Sequence, residues 1–249
     1  MRTLLFVLLV SFSFPAFAQS SLGITGATLY LGAIQDEAGD AQATAAFQLD
    51  VAITEFHGFQ GDLAVSDTTS GLIGTSAAHL YMTPVSGQKY GLFAALSDVD
   101  GRAMIYGSVG AEGMLSWGDD TLVEGRAGMG WADVDGLDYI FAGASVAHSV
   151  SPALDFELAL DLAEFDEATF SATSVDFGLT ATFNPEGSPW GAYVSATHSS
   201  LVGRDDAAGE MRLGLGIQIA FGTSGGTNPH TRPFRTVDPV APLIRRGLW

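Results

Sequence analysis

The chain has 249 residues, no cysteine, and 28 acidic against 10 basic residues. The missing cysteines exclude disulfide staples, thiol catalysis and cysteine-held metals, and the acidic balance excludes nucleic acid, whose phosphates require positive charge. Charged residues make up only 15% of the chain, below the roughly 25% of ordinary soluble domains. Low charge density beside a large net charge suits a protein whose apolar face meets lipid while its charges gather inside and at the rims.

Residues 1–18 read as a cleaved signal peptide. Arg2 supplies the positive start, Leu4 to Val10 is unbroken apolar, and Ala16-Phe17-Ala18 is a small-x-small end with cleavage before Gln19. The apolar run falls short of the ~20 residues a membrane helix needs. Without Arg2 the chain carries 9 basic against 28 acidic residues, a net charge of −19.

From Gly23 to Phe221 the pattern has period two. Phe47, Leu49, Val51 and Ile53 share one face, with Gln48, Asp50 and Ala52 on the other. Phe156, Leu158 and Leu160 oppose Asp155, Glu157 and Asp161. Leu213, Leu215, Ile217, Ile219 and Phe221 oppose Arg212, Gly214, Gly216 and Gln218. Weaker alternation covers Phe59 to Val65, Val123 to Trp131 and Val175 to Phe183. Turn-forming clusters fall between these runs, among them Glu37 to Asp40, Asp67 to Gly71, Asp98 to Gly101, Trp117 to Asp120 and Asn184 to Pro189. About twelve strands of roughly ten residues result, which matches the ~9–11 residues of a tilted membrane strand and the even strand number of bacterial barrels. A soluble β-sandwich alternates too, but its polar face is well charged. Here that face is mostly Gly, Ala and Ser with isolated acids, and lysine appears once, at Lys89. The fold class expected is all-β: an antiparallel up-and-down transmembrane β-barrel over residues 19–222.

Residues 223–249 differ in kind. They hold Pro229, Pro233, Pro239 and Pro242, and Arg232, Arg235, Arg245 and Arg246 against Asp238 alone. The composition argues for a basic, extended tail, lying along the acidic lumen, against the cell wall, or free.

Arg212 to Ile219, a polar-x-Gly-x-x-apolar-x-apolar run, resembles the assembly signal on the final strand of Gram-negative outer-membrane β-barrel proteins, with Phe221 adding the aromatic. Such proteins usually end at that aromatic, whereas this chain continues for 28 residues. The resemblance extends to the broad porin-like class and to no specific family. It implies an outer-membrane location, contact with outer-membrane lipid, and recognition by the barrel-assembly machinery through Arg212, Gly214, Ile217, Ile219 and Phe221.

The pore-lining candidates are Asp50, Asp62, Glu124, Arg126, Asp155, Glu157, Asp161, Asp176 and Arg212. Surplus acids along a hydrated lumen would favour cations; charges paired across it would plug it. By strand parity, 14 of the 28 acids fall at one rim, where divalent cations could bridge them to lipid phosphates. The five histidines lack metal-ligand spacing, and the two Asp-Val-Asp-Gly copies, at Asp98 and Asp133, lack the remaining calcium ligands and read as turns. His198 and Ser200 resemble the His-x-Ser pair of outer-membrane phospholipases. No cofactor and no catalytic residue is assigned. The leading reading is a cation-leaning passive channel or a structural membrane protein. The alternatives are a phospholipase-type hydrolase and a soluble exported sandwich or adhesion module.

Overall fold

The computed structural model describes residues 23–102, 104–133, 137–222 and 225–248. The proposed signal peptide lies outside them. Twelve antiparallel strands run in chain order: β1 (Ile24–Gln35), β2 (Ala41–Ala52), β3 (His57–Thr68), β4 (Gly71–Met82), β5 (Gln88–Val99), β6 (Met104–Ser116), β7 (Thr121–Ala132), β8 (Asp138–Ser151), β9 (Leu154–Asp166), β10 (Ser171–Phe183), β11 (Trp190–Gly203) and β12 (Ala207–Gly222). A short helix, α1 (Ala241–Arg245), follows in the tail. Each strand pairs with its sequence neighbours, and β12 closes on β1 from Gly26↔Gly222 to Gln35↔Leu213. Closure leaves no strand edge unpaired, the condition for a sheet in hydrocarbon. It also disposes of the sandwich. The strands are 12–16 residues long, more than the ten or so expected, because pairing continues past the apolar band into the rims.

The apolar stripes face outward, as the alternation requires. Leu63, Leu80, Leu92, Leu158, Phe177, Val194 and Leu215 are exposed along the outer wall. In water such a surface would be untenable, and against lipid tails it is matched. Tyr90, Trp117, Phe156, Phe183, Trp190 and Phe221 are exposed near one end, an aromatic girdle of the kind that marks a membrane interface.

In a closed meander, alternate connections lie at opposite ends. The rim with Gly23 and Gly222, here the terminal rim, also carries turns 53–56, 83–87, 117–120, 152–153 and 184–189. The opposite loop rim carries the described turn residues 36–40, 69–70, 100–102, 133, 137, 167–170 and 204–206, and with them most of the acids of the acidic rim. The first Asp-Val-Asp-Gly copy is a turn: Gly101 has φ +84°, a conformation glycine adopts without penalty. At the second copy Asp133 accepts the Ile105 backbone N–H at 2.8 Å, while its residues 134–136 are outside the described set. Among the described residues no cluster of three or more metal-ligating groups forms.

Candidate functional site: the lumen and the tail within it

Every pore-lining candidate points into the barrel, and the C-terminal tail takes up much of the space they face. From residue 225 the chain runs through the lumen from the terminal rim to the loop rim. Near the terminal rim the Thr227 hydroxyl donates to the Asp119 carbonyl at 3.3 Å. Residues 232–236 cross the middle, and α1 fills the loop-rim end.

The middle is a charged network built largely by the wall. Gln48 and Asp62 are cross-strand partners on β2 and β3, as are Gln60 and His79 on β3 and β4, and Glu112 and Arg126 on β6 and β7. That register places side chains of neighbouring strands side by side on the inner face. His79 is wedged between carboxylates, Nδ1 2.6 Å from Glu112 and Nε2 3.1 Å from Asp62. Arg126 donates to Glu124 at 2.6 Å, and the Tyr81 hydroxyl donates to Asp50 at 3.1 Å. Asp62, His79, Glu112, Glu124 and Arg126 are almost wholly shielded from water, where an unpaired charge costs several kcal/mol. Mutual pairing is what lets them stay.

The tail supplies the rest. Arg232 and Arg235 share Glu157: Arg232 Nη2 bonds one carboxylate oxygen, and Arg235 Nε lies 3.2 Å from the other. Arg235 also donates to Asp161 at 2.7 Å. The main chain is read as well. Gln60 accepts the Phe234 N–H at 2.7 Å and donates to the Phe234 carbonyl at 3.0 Å, while Gln48 donates to the same carbonyl at 3.2 Å. Lys89 Nζ donates to the Arg232 carbonyl at 3.0 Å. Glu124 accepts the Arg235 N–H at 3.1 Å, and Arg126 donates to the Arg235 carbonyl. The Phe234 ring stacks on His79, with centroids 5.9 Å apart and planes 13° apart, and meets Tyr81 edge-on. Glycine makes room for it: a Cβ on Gly91 would lie 3.2 Å from the ring.

Toward the loop rim the chemistry changes. Asp238 receives the Tyr106 hydroxyl and accepts the Val240 and Ala241 N–H groups at 3.0 and 3.1 Å, tying down the chain where it enters α1. Leu243 and Ile244, fully buried, join Val99, Met104, Leu137, Phe165 and Leu201 in one apolar cluster. Arg246 ties the end of the helix to the wall, donating to the Ser199 carbonyl at 2.7 Å.

The remaining candidates sit around this axis. Asp155 accepts a bond from Ser149 and, with Glu157, lines a cavity of about 360 Å³ beside residues 232–236; Tyr30, Tyr193, Asn184 and Gln218 also line it. Asp176 faces the tail beside Asp238 and Pro239. Arg212 lies 3.8 Å from Glu210. Of the assembly-signal candidates, Arg212 points inward and Gly214, Ile217, Ile219 and Phe221 lie along the β1–β12 seam. His198 is exposed on the outer wall, and Ser200 lies in the register shift between Ser199 and Leu201.

Alternation alone misses His79, Lys89 and Glu112, three central groups of the network. It also misses the inward aromatics Tyr81, Phe93, Tyr106, Tyr139, Phe141 and Phe165. The available signal was the glycines opposite them: a Cβ at Gly130 would collide with the Tyr139 ring, and one at Gly58 with Tyr81. The small residues of the inner face are therefore partly sockets for large neighbours.

No family model matches the chain, and no curated protein matches it in sequence. Among solved structures it is similar to an outer-membrane channel from Pseudomonas putida F1, with TM-score 0.59 and 12% identity over 84% of this chain and 99% of that one. It is also similar to the KdgM porin, solved in complex with disordered oligogalacturonate (TM-score 0.56, 9% identity, 78% of this chain and 99% of that one). The NanC porin gives TM-score 0.55 and 9% identity over 77% and 98%. At such identities the likeness establishes the fold. This chain is a closed twelve-stranded barrel of the architecture seen in outer-membrane porins and channels.

Proposed function

We propose that the protein is a small outer-membrane barrel of porin architecture that its own C-terminal tail holds closed, and whose lumen, once vacated, passes small cations by diffusion. The observation that carries this reading is the run of bonds from residues 232–236 to the wall at the middle of the lumen, with α1 packed into the end beyond it. A pore blocked along that length conducts nothing larger than water while the tail is in place.

The cation preference rests on the wall. Its inward carboxylates include Asp50, Asp62, Glu112, Glu124, Asp155, Glu157, Asp161 and Asp176, against Lys89, Arg126 and Arg212. Without the tail's arginines, a ring of surplus acids remains, and such rings select cations. Export through the signal peptide, assembly through the β12 segment, and an outward acidic rim bridged to lipid phosphates by divalent cations complete the proposal. No catalytic step belongs to it, and replacing Ser200 is expected to change no activity of the protein.

Planar-bilayer recording tests the reading. The full chain is expected to be silent. A chain ending at Gly222 should conduct with cation bias, and the bias should fall when Asp155, Glu157 and Asp176 are neutralised. Steady current through the full chain, or silence from the shortened one, would reject it.

A further inference from the structure

We infer that the lumen is a peptide-binding site that reads sequence: freed of its own tail, it takes up a separate extended peptide bearing an arginine, an aromatic residue two positions later and a second arginine next to that. This deepens the closed-barrel reading and rests on it.

A segment that merely filled space would need only bulk and opposite charge. The wall does more. Main-chain groups of Arg232, Phe234 and Arg235 are each met by an inward side chain: Lys89 for the first, Gln60 and Gln48 for the second, Glu124 and Arg126 for the third. Gln60 offers its amide to both the N–H and the C=O of Phe234, as a neighbouring strand would. Those contacts fix an extended backbone and its register.

Side-chain contacts then set the sequence. The Phe234 ring has an aromatic wall in His79, an edge in Tyr81 and a glycine floor at Gly91. Lys89 Nζ stands 4.6 Å from the centre of its face, a cation–π geometry that favours an aromatic over an aliphatic occupant. The carboxylate of Glu157 is divided between the two arginines, and Asp161 holds the second. The Thr236 hydroxyl donates to Asp62.

The site is also held ready by bonds within the wall. His79 is fixed by Asp62 and Glu112, Arg126 by Glu124, and Tyr81 by Asp50. A preorganised site loses little freedom on binding and discriminates sharply, because a wrong peptide leaves buried donors and acceptors unmet.

The test uses the full chain with its tail disabled as a ligand, R232A/F234A/R235A, with folding checked by the heat-modifiable gel shift. Should that variant fail the check, F234A alone replaces it. In planar bilayers this variant should conduct, and a synthetic peptide of residues 225–248 should block the current saturably. A peptide carrying F234A should need at least ten times the concentration, and a scrambled peptide of equal composition should not block. E157Q/D161N in the barrel should weaken the block by the intact peptide. Equal block by intact and scrambled peptides, conduction without block, or silence of the tail-disabled variant each overturns the inference. The closed-barrel reading survives all three, since it fails only if a chain ending at Gly222 is itself silent or the full chain conducts.

Discussion

The middle of the lumen and its loop-rim end are filled by different chemistry. At mid-barrel the tail is held by directed bonds: two arginines on Glu157 and Asp161, and a backbone clamped by Gln60. At the loop rim it is held by Leu243 and Ile244 in an apolar nest. Directed bonds fix register and identity, and apolar packing supplies affinity with little direction. A plug built only the second way would slide; one built only the first way would loosen in salt.

That contrast can be broken at several points. Among single substitutions the largest effect is expected from Phe234→Ala, which empties a buried aromatic socket and costs about 3–5 kcal/mol. It should lower the thermal midpoint of the full chain and give intermittent current. Leu243→Ala should cost about 2–5 kcal/mol by the same cavity logic, with an effect that high salt leaves unchanged. Glu157→Gln removes one carboxylate shared by two arginines and should cost about 1.5–3 kcal/mol. Because the pairs it breaks are partly hydrated, its penalty should shrink as ionic strength rises. Comparing the two variants by thermal melts at low and at molar salt separates the two regions: equal salt dependence would erase the contrast.

Smaller changes are expected away from the tail. Leu215→Ala on the lipid face should shift stability by no more than about 0.5 kcal/mol, since lipid replaces what the side chain covered. At the loop rim the Ser171 backbone N–H, with help from Arg204, holds the Asp205 carboxyl below its ordinary range. A depressed pKa gives stability that is present above the unfolded-state value and lost as pH falls through the folded one. Acidification below about pH 4 should therefore lower the protection factor of the Ser171 amide, its exchange rate being compared with the intrinsic rate at the same pH.

The outer wall was legible because its rule is local. Alternation along one strand decides which side chains meet lipid, and Phe47, Leu158 and Leu215 obey it. The inner face obeys a second rule that no single strand carries. Gly58, Gly91 and Gly130 read as small lumen residues, yet each is small because a ring from elsewhere rests on or near it: Tyr81, Phe234 and Tyr139. Val99, Met104 and Phe165 read as ordinary apolar positions, yet they point inward to meet α1. For residues 223–249, proline and charge argued for an extended chain without fixing its place. Arginines in the tail and surplus acids in the lumen were both visible in sequence, but their pairing is a contact across some 75 residues. Local periodicity carries no information over that span.

The most direct measurement is thiol labelling of Leu243→Cys. The chain has no cysteine of its own, so a membrane-impermeant maleimide reports that site alone, and Val85→Cys in an exposed turn supplies the fully reactive reference. With the tail seated in the lumen, the thiol at 243 should stay unlabelled in the folded protein and react fully once heat unfolds the barrel. Labelling of folded protein at the rate of the Val85→Cys reference would contradict a lumen filled by its own C-terminus.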